Sequence, residues 1–128
     1  MKIEALYRSD VHTAGMFEAL ADVASRMSFN EVGALPVMDG GTLVGIITER
    51  DLARATADGA DAGITPVESY MTSNPVTVDH DADCGQAAAL MLQIGSRHLP
   101  VTEGGRMVGM VSARDLLAEQ AWNQEVPA

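Results

Sequence analysis

Two four-residue stretches carry the side chains best suited to chemistry. Thr48-Glu49-Arg50-Asp51 and Ser112-Ala113-Arg114-Asp115 each place a hydroxyl, a cation and a carboxylate within one helical turn. A hydroxyl followed three residues later by an acid is the pattern of a capping box, in which each side chain satisfies a free backbone N–H at a helix start. Capping explains the hydroxyl and the acid. It leaves Arg50 and Arg114 over, because a cation in the first turn opposes the helix dipole. A guanidinium beside the free N–H groups of a helix start suits a phosphate. A carboxylate alongside suits the vicinal hydroxyls of a ribose.

The other reactive side chains carry less. His98 has the chemistry of a general base, but no Ser or Cys nucleophile stands beside it at a recognisable spacing. His12 and His80 lie near strand ends, where surface or structural roles outweigh ligation. Cys84 is the single cysteine, which excludes an intramolecular disulfide and a Cys-rich zinc site. It reads as a small packing residue, although a helix N-terminus acts to lower a thiol pKa. Met38, Met107 and Met110 suit strand packing better than a metal, and there is no Walker loop or Rossmann fingerprint. The expectation is a chain that is not an enzyme, with no required cofactor and no metal.

The elements that position these residues come from an internal repeat. Ala34-Leu35-Pro36-Val37, Asp39-Gly40-Gly41, Val44-Gly45 and Arg50-Asp51-Leu52 return 64 residues later as His98-Leu99-Pro100-Val101, Glu103-Gly104-Gly105, Val108-Gly109 and Arg114-Asp115-Leu116. Without a gap, residues 3–55 align to 67–119 with 15 identities in 53 pairs. Chance would give about four. The chain is a duplication.

Each copy reads β-α-β-β-α. A short extended piece (Val11–Ala14; Val76–Val78) precedes an amphipathic helix, marked by Phe17, Leu20, Val23, Ala24 and Met27 or by Ala87, Leu90, Met91 and Ile94. Two apolar strands follow, joined by Asp39-Gly40-Gly41 or Glu103-Gly104-Gly105, where glycine supplies the positive φ of a tight hairpin. The second strand (Leu43–Ile47; Met107–Val111) runs into the helix that opens with Arg-Asp-Leu. A lone copy buries too little surface to stand by itself, so the two are expected to share one core as a pseudo-two-fold pair. Residues 56–66 read as a linker, and 120–128 as a tail outside the repeat.

Composition bounds the partners. The 128 residues are 47% apolar, enough for a packed core. Eighteen acids against eight Lys and Arg leave a net charge of −10, which disfavours nucleic acid and anionic membranes. No apolar run reaches a membrane span and Met1-Lys2-Ile3-Glu4 opens no signal core, so a soluble, cytoplasmic protein is expected.

The order Leu-Pro-Val, Asp/Glu-Gly-Gly, Val-Gly, two apolar residues, Thr/Ser, any residue, Arg-Asp-Leu resembles the CBS domain, named after cystathionine β-synthase. Met71-Thr72-Ser73-Asn74-Pro75 is similar to the Met-Thr-x-x-Pro that opens a second motif. The resemblance runs from Ile3 to about Glu119 and implies a Bateman module: an α+β fold of two β-α-β-β-α motifs, here as a stand-alone pair. It implies a ligand cleft between the two sheets for an adenosine derivative, with AMP, ADP, ATP, S-adenosylmethionine and cyclic dinucleotides all open.

Carried over by motif position, Asp51 and Asp115 would hold ribose hydroxyls, and Thr48 and Ser112 the ribose-phosphate region. Gly33-Ala34 and Arg97-His98 would face base or phosphate, ahead of Pro36 and Pro100. Thr13-Ala14 and Thr77-Val78 would flank the adenine, while the phosphate role of Arg50 and Arg114 rests on the helix-start chemistry above. Copy one departs from the pattern, reading Leu6-Tyr7-Arg8-Ser9-Asp10-Val11 where copy two has Met-Thr-x-x-Pro, and Ala14-Gly15 against Val78-Asp79. Arg97-His98 replaces Gly33-Ala34, so the two sites are expected to be unequal.

The leading expectation is a regulatory module that senses an adenine nucleotide, including as an energy signal, and passes the change to a protein partner. The alternative is an interaction scaffold without a nucleotide. Either is expected to form a homodimer, with Trp122 as an anchor.

Overall fold

A computed structural model of the chain describes the backbone of residues 1–125 and the side chains of residues 1–119. The chain forms two compact units, Val11–Pro75 and Met1–Asp10 with the chain from Val76 onward. The first is called the middle unit below, the second the split unit.

The middle unit runs β1 (Ala14–Gly15), α1 (Leu20–Asn30), β2 (Ala34–Asp39), β3 (Thr42–Thr48), α2 (Glu49–Ala57), a 3-10 turn at Val67–Ser69, and β4 (Thr72–Ser73). Its sheet has the order β1-β2-β3-β4, with β1 parallel to β2 and the other pairs antiparallel. The split unit begins with a 3-10 turn at Ile3–Ala5. It continues with β5 (Val78–Asp79), α3 (Cys84–Ile94), β6 (His98–Glu103), β7 (Arg106–Ser112) and α4 (Ala113–Glu125). Its sheet has the order β5-β6-β7, and Arg8 bridges Met110 on the far side of β7.

The predicted α+β repeat is present, with two local differences. The short first strands lie later than expected, at Ala14–Gly15 and Val78–Asp79 rather than Val11–Ala14 and Val76–Val78. Phe17 is not part of α1 and is 75% exposed. A turn closes there instead: the Glu18 N–H donates to the Gly15 carbonyl, and the Glu18 carboxylate accepts from the Gly15 N–H. The hairpins turn at Gly40-Gly41 and Gly104-Gly105, all four at positive φ as their turns require.

Each unit has its own apolar cluster: Leu20, Val23, Met27, Leu35, Val37 and Ile47 in one, Ala87, Met91, Leu99, Val101 and Val111 in the other. Each cluster is completed by the lead-in segment of the opposite repeat. Val67, which opens the second repeat, is fully buried in the middle unit, and Ile3, which opens the first, is fully buried in the split unit. This exchange supplies the extra apolar surface that one copy lacks.

Backbone hydrogen bonds repeat the exchange. The Val67 N–H donates to the Glu18 carbonyl at 2.9 Å, and the Ile3 N–H to the Ala82 carbonyl at 2.9 Å. At the helix starts, the Leu20 N–H donates to the Thr65 carbonyl at 2.9 Å and the Cys84 N–H to the Met1 carbonyl at 2.8 Å. The 56–66 stretch is thus more than a spacer, since Ala62 and Thr65 accept the first N–H groups of α1.

Candidate functional site

Each group of candidate residues begins where a long strand hands over to a helix. In the middle unit Ala34 pairs with Thr48 across the β2–β3 hairpin, and the Gly33 carbonyl accepts from the Glu49 N–H at 3.1 Å. Pro36 is opposite Ile46, and Thr13 precedes Ala14, the partner of Val37. In the split unit His98 pairs with Ser112, and the Arg97 carbonyl accepts from the Ala113 N–H at 2.8 Å. Pro100 is opposite Met110, and Thr77 precedes Val78, the partner of Val101. The candidate residues of copy one all fall in the middle unit and those of copy two in the split unit.

The capping box forms in both units. The Thr48 N–H and hydroxyl donate to Asp51 Oδ2 at 2.9 and 3.0 Å, and the Asp51 N–H donates back to Thr48 Oγ1 at 3.3 Å. The Ser112 N–H and hydroxyl donate to Asp115 Oδ2 at 2.9 and 3.0 Å, with the return bond at 3.2 Å. In each carboxylate Oδ2 serves the cap and Oδ1 does not. Capping therefore occupies one oxygen of each carboxylate. Arg50 and Arg114 are exposed on the first turns of α2 and α4.

Each Oδ1 faces an arginine that the motif does not contain. Asp51, whose side chain is 7% exposed, has Arg54 Nη2 at 3.3 Å from Oδ1. Asp115, 12% exposed, has Arg8 Nε at 3.6 Å from Oδ1. Sequence reasoning missed both residues. The signal was there in the repeat: Arg8 aligns with Thr72 and Arg54 with Ala118, so each copy has one arginine at a different place.

The first strands also differ. In the middle unit Arg26 donates to the Thr13 carbonyl at 2.8 Å and to both oxygens of Glu18, at 2.9 and 2.8 Å. The Arg26 hydrogen bonds hold the Glu18 carboxyl down at about 2, from an ordinary 4.5. Copy two has Leu90 and Ala82 at these positions, packed on its apolar cluster.

Cys84 packs against the apolar cluster of the split unit, as a small packing residue would, and burial pushes its thiol above the ordinary value. His80 has a structural setting, with Nδ1 3.4 Å from Glu4 and Nε2 3.5 Å from Glu103. His12 is exposed. Among the described residues no three His, Cys, Asp or Glu side chains cluster as metal ligands. None of the helices so described is long and apolar enough to cross a membrane. The Trp122 side chain lies outside the described residues.

Duplicated hairpins with a capped aspartate at each strand-to-helix junction, buried at Asp51 and partly buried at Asp115, define a tandem module. The CBS domain family matches residues 3–58 and 67–121, and the chain belongs to it. A CBS domain-containing protein of Bacillus subtilis, YhcV, is 36% identical over 117 residues, covering 91% of this chain and 83% of that protein. The CBS-domain containing protein ATU1752 of Agrobacterium tumefaciens is 31% identical with a TM-score of 0.88, covering 94% of this chain and 99% of that one. The CBS domain pair of protein MJ0100, solved in complex with 5′-methylthioadenosine and S-adenosylmethionine, is 25% identical with a TM-score of 0.88, covering 98% of both chains.

Proposed function

We propose that this chain is a non-enzymatic regulatory module that binds an adenosine-type ligand and signals to a protein partner inside the cell. The observation that carries the reading is the carboxylate of Asp115: its Oδ2 is held by Ser112, and its Oδ1 remains outside the cap. An oriented, largely covered acceptor of this kind suits ribose hydroxyls, and the same arrangement recurs at Asp51. Similarity to the MJ0100 pair, which was solved with two adenosine derivatives, supports the ligand class. Thr13, Thr48, Thr77 and Ser112 would line the sites, with Arg50, Arg97, His98 and Arg114 toward phosphate. A bound ligand would favour one arrangement of the module over another, which is what a partner reads.

Association of two copies belongs to the same proposal. Phe29 on α1 and Leu92 on α3 are 88% and 86% exposed, an unfavourable setting that a homodimer would relieve. Light scattering at high micromolar concentration should return twice the 13.5 kDa of one chain.

Titration calorimetry with adenosine, AMP, ATP and S-adenosylmethionine tests the ligand reading, with thermal shift as the independent check. Saturable heat and a raised melting temperature with one of them support it. No response to any of the four favours the scaffold without a nucleotide.

A further inference from the structure

We propose that Arg8 makes the site at Asp115 select anionic ligands, so that a nucleoside phosphate is preferred there over the free nucleoside. This inference rests on the nucleotide reading above.

The two arginines that face the capping aspartates are held very differently. Arg54 is one helical turn beyond Asp51, and it also donates to the Tyr70 carbonyl at 3.0 Å and lies 5.7 Å from the Tyr70 ring centre. It is committed to the structure of the middle unit. Arg8 arrives from the lead-in segment, where its N–H and carbonyl bond the Met110 carbonyl and N–H at 2.9 and 3.0 Å. The backbone is therefore fixed while the side chain is 64% exposed. Among the described residues Asp115 is its one ionic partner, and the 3.6 Å separation is beyond a hydrogen bond. The guanidinium keeps its donor fork for something else.

A chain with a net charge of −10 repels an anion, and Asp115 adds to that repulsion at close range. A diol held at Asp115 Oδ1 would bring its own sugar beside Arg8. A phosphate on that sugar would then meet a planar cation able to donate two bonds at once. A ligand without the phosphate gains nothing from Arg8.

Calorimetry of adenosine and AMP on wild type, Arg8→Gln and Arg8→Lys decides the matter. Wild type should prefer AMP. Arg8→Gln should weaken AMP by roughly 5- to 30-fold, allowing for the exposure of the side chain, and change adenosine by less than about twofold. Arg8→Lys should keep most of the preference, and Arg8→Met repeats the test if the glutamine variant does not fold. An unchanged ratio of AMP to adenosine affinity in Arg8→Gln, or no AMP preference in wild type, overturns the role of Arg8 and leaves the nucleotide reading standing. A wild type that binds neither ligand overturns the role of Arg8, and the nucleotide reading falls with it only when ATP and S-adenosylmethionine give no heat either.

Discussion

The ring of Tyr7 occupies the space that a side chain on Gly109 would need. A β-carbon at Gly109 would overlap that ring and the Arg8 carbonyl, and one at Gly45 would overlap Met71 and the Thr72 carbonyl. Tyr7 and Met71 are equivalent in the repeat, as are the two glycines, so one contact is built twice. The Val-Gly of the motif is thus the seat of the exchanged lead-in segment. It also shows that Leu6-Tyr7-Arg8, which departs from Met-Thr-x-x-Pro, docks as its counterpart does.

Substituting either glycine should therefore push a lead-in segment off the sheet. Gly109→Ala and Gly45→Ala should each destabilise by about 1–3 kcal/mol, as overpacking does. Denaturant unfolding measures the loss. A change below a few tenths of a kcal/mol would mean that the segments are not seated there.

Asparagine at position 115 separates cap from ligand. The amide oxygen of Asp115→Asn can still accept from Ser112, while its NH2 replaces the second oxygen. Stability should fall by roughly 0.5–1 kcal/mol and ligand affinity by about 10- to 150-fold. Unfolding and calorimetry on one sample check both. Unchanged affinity would make Asp115 a capping residue alone.

Glu31 ends α1 in the left-handed region at φ 54°, where the equivalent helix α3 ends at Gly95 with φ 69°. A side chain is strained there, so Glu31→Gly should stabilise the protein by about 0.5–1 kcal/mol. A melting temperature that falls instead would show that Glu31 makes a compensating interaction.

The Glu18–Arg26 pair should give the protein part of its acid sensitivity. The Glu18 carboxyl is held down at about 2 against an ordinary 4.5, so its contribution is complete above about 4.5 and is lost as pH falls toward 2. Both side chains are about a third exposed, so Glu18→Gln should cost only about 0.5–1 kcal/mol at pH 7. Unfolding at pH 6 and pH 3 should show a smaller acid loss in Glu18→Gln than in wild type. Parallel curves would remove the pair from the acid response.

The sequence by itself determined what lies within a few residues along the chain. Apolar periodicity marked the helices, Asp/Glu-Gly-Gly the hairpins, and Thr48–Asp51 and Ser112–Asp115 the capping boxes, since each depends on neighbours three or four positions away. The duplication was equally legible, because a repeat is a property of the string. The string did not say which copy receives which lead-in segment, since packing Ile3 on its own repeat or on the other satisfies the same pattern. Tertiary structure decided that, and with it the separate apolar clusters, the burial that raises the Cys84 thiol, and the arginine facing each aspartate. Arg8 and Asp115 stand about a hundred residues apart in sequence, and only the sheet that binds Arg8 to Met110 brings their charges together.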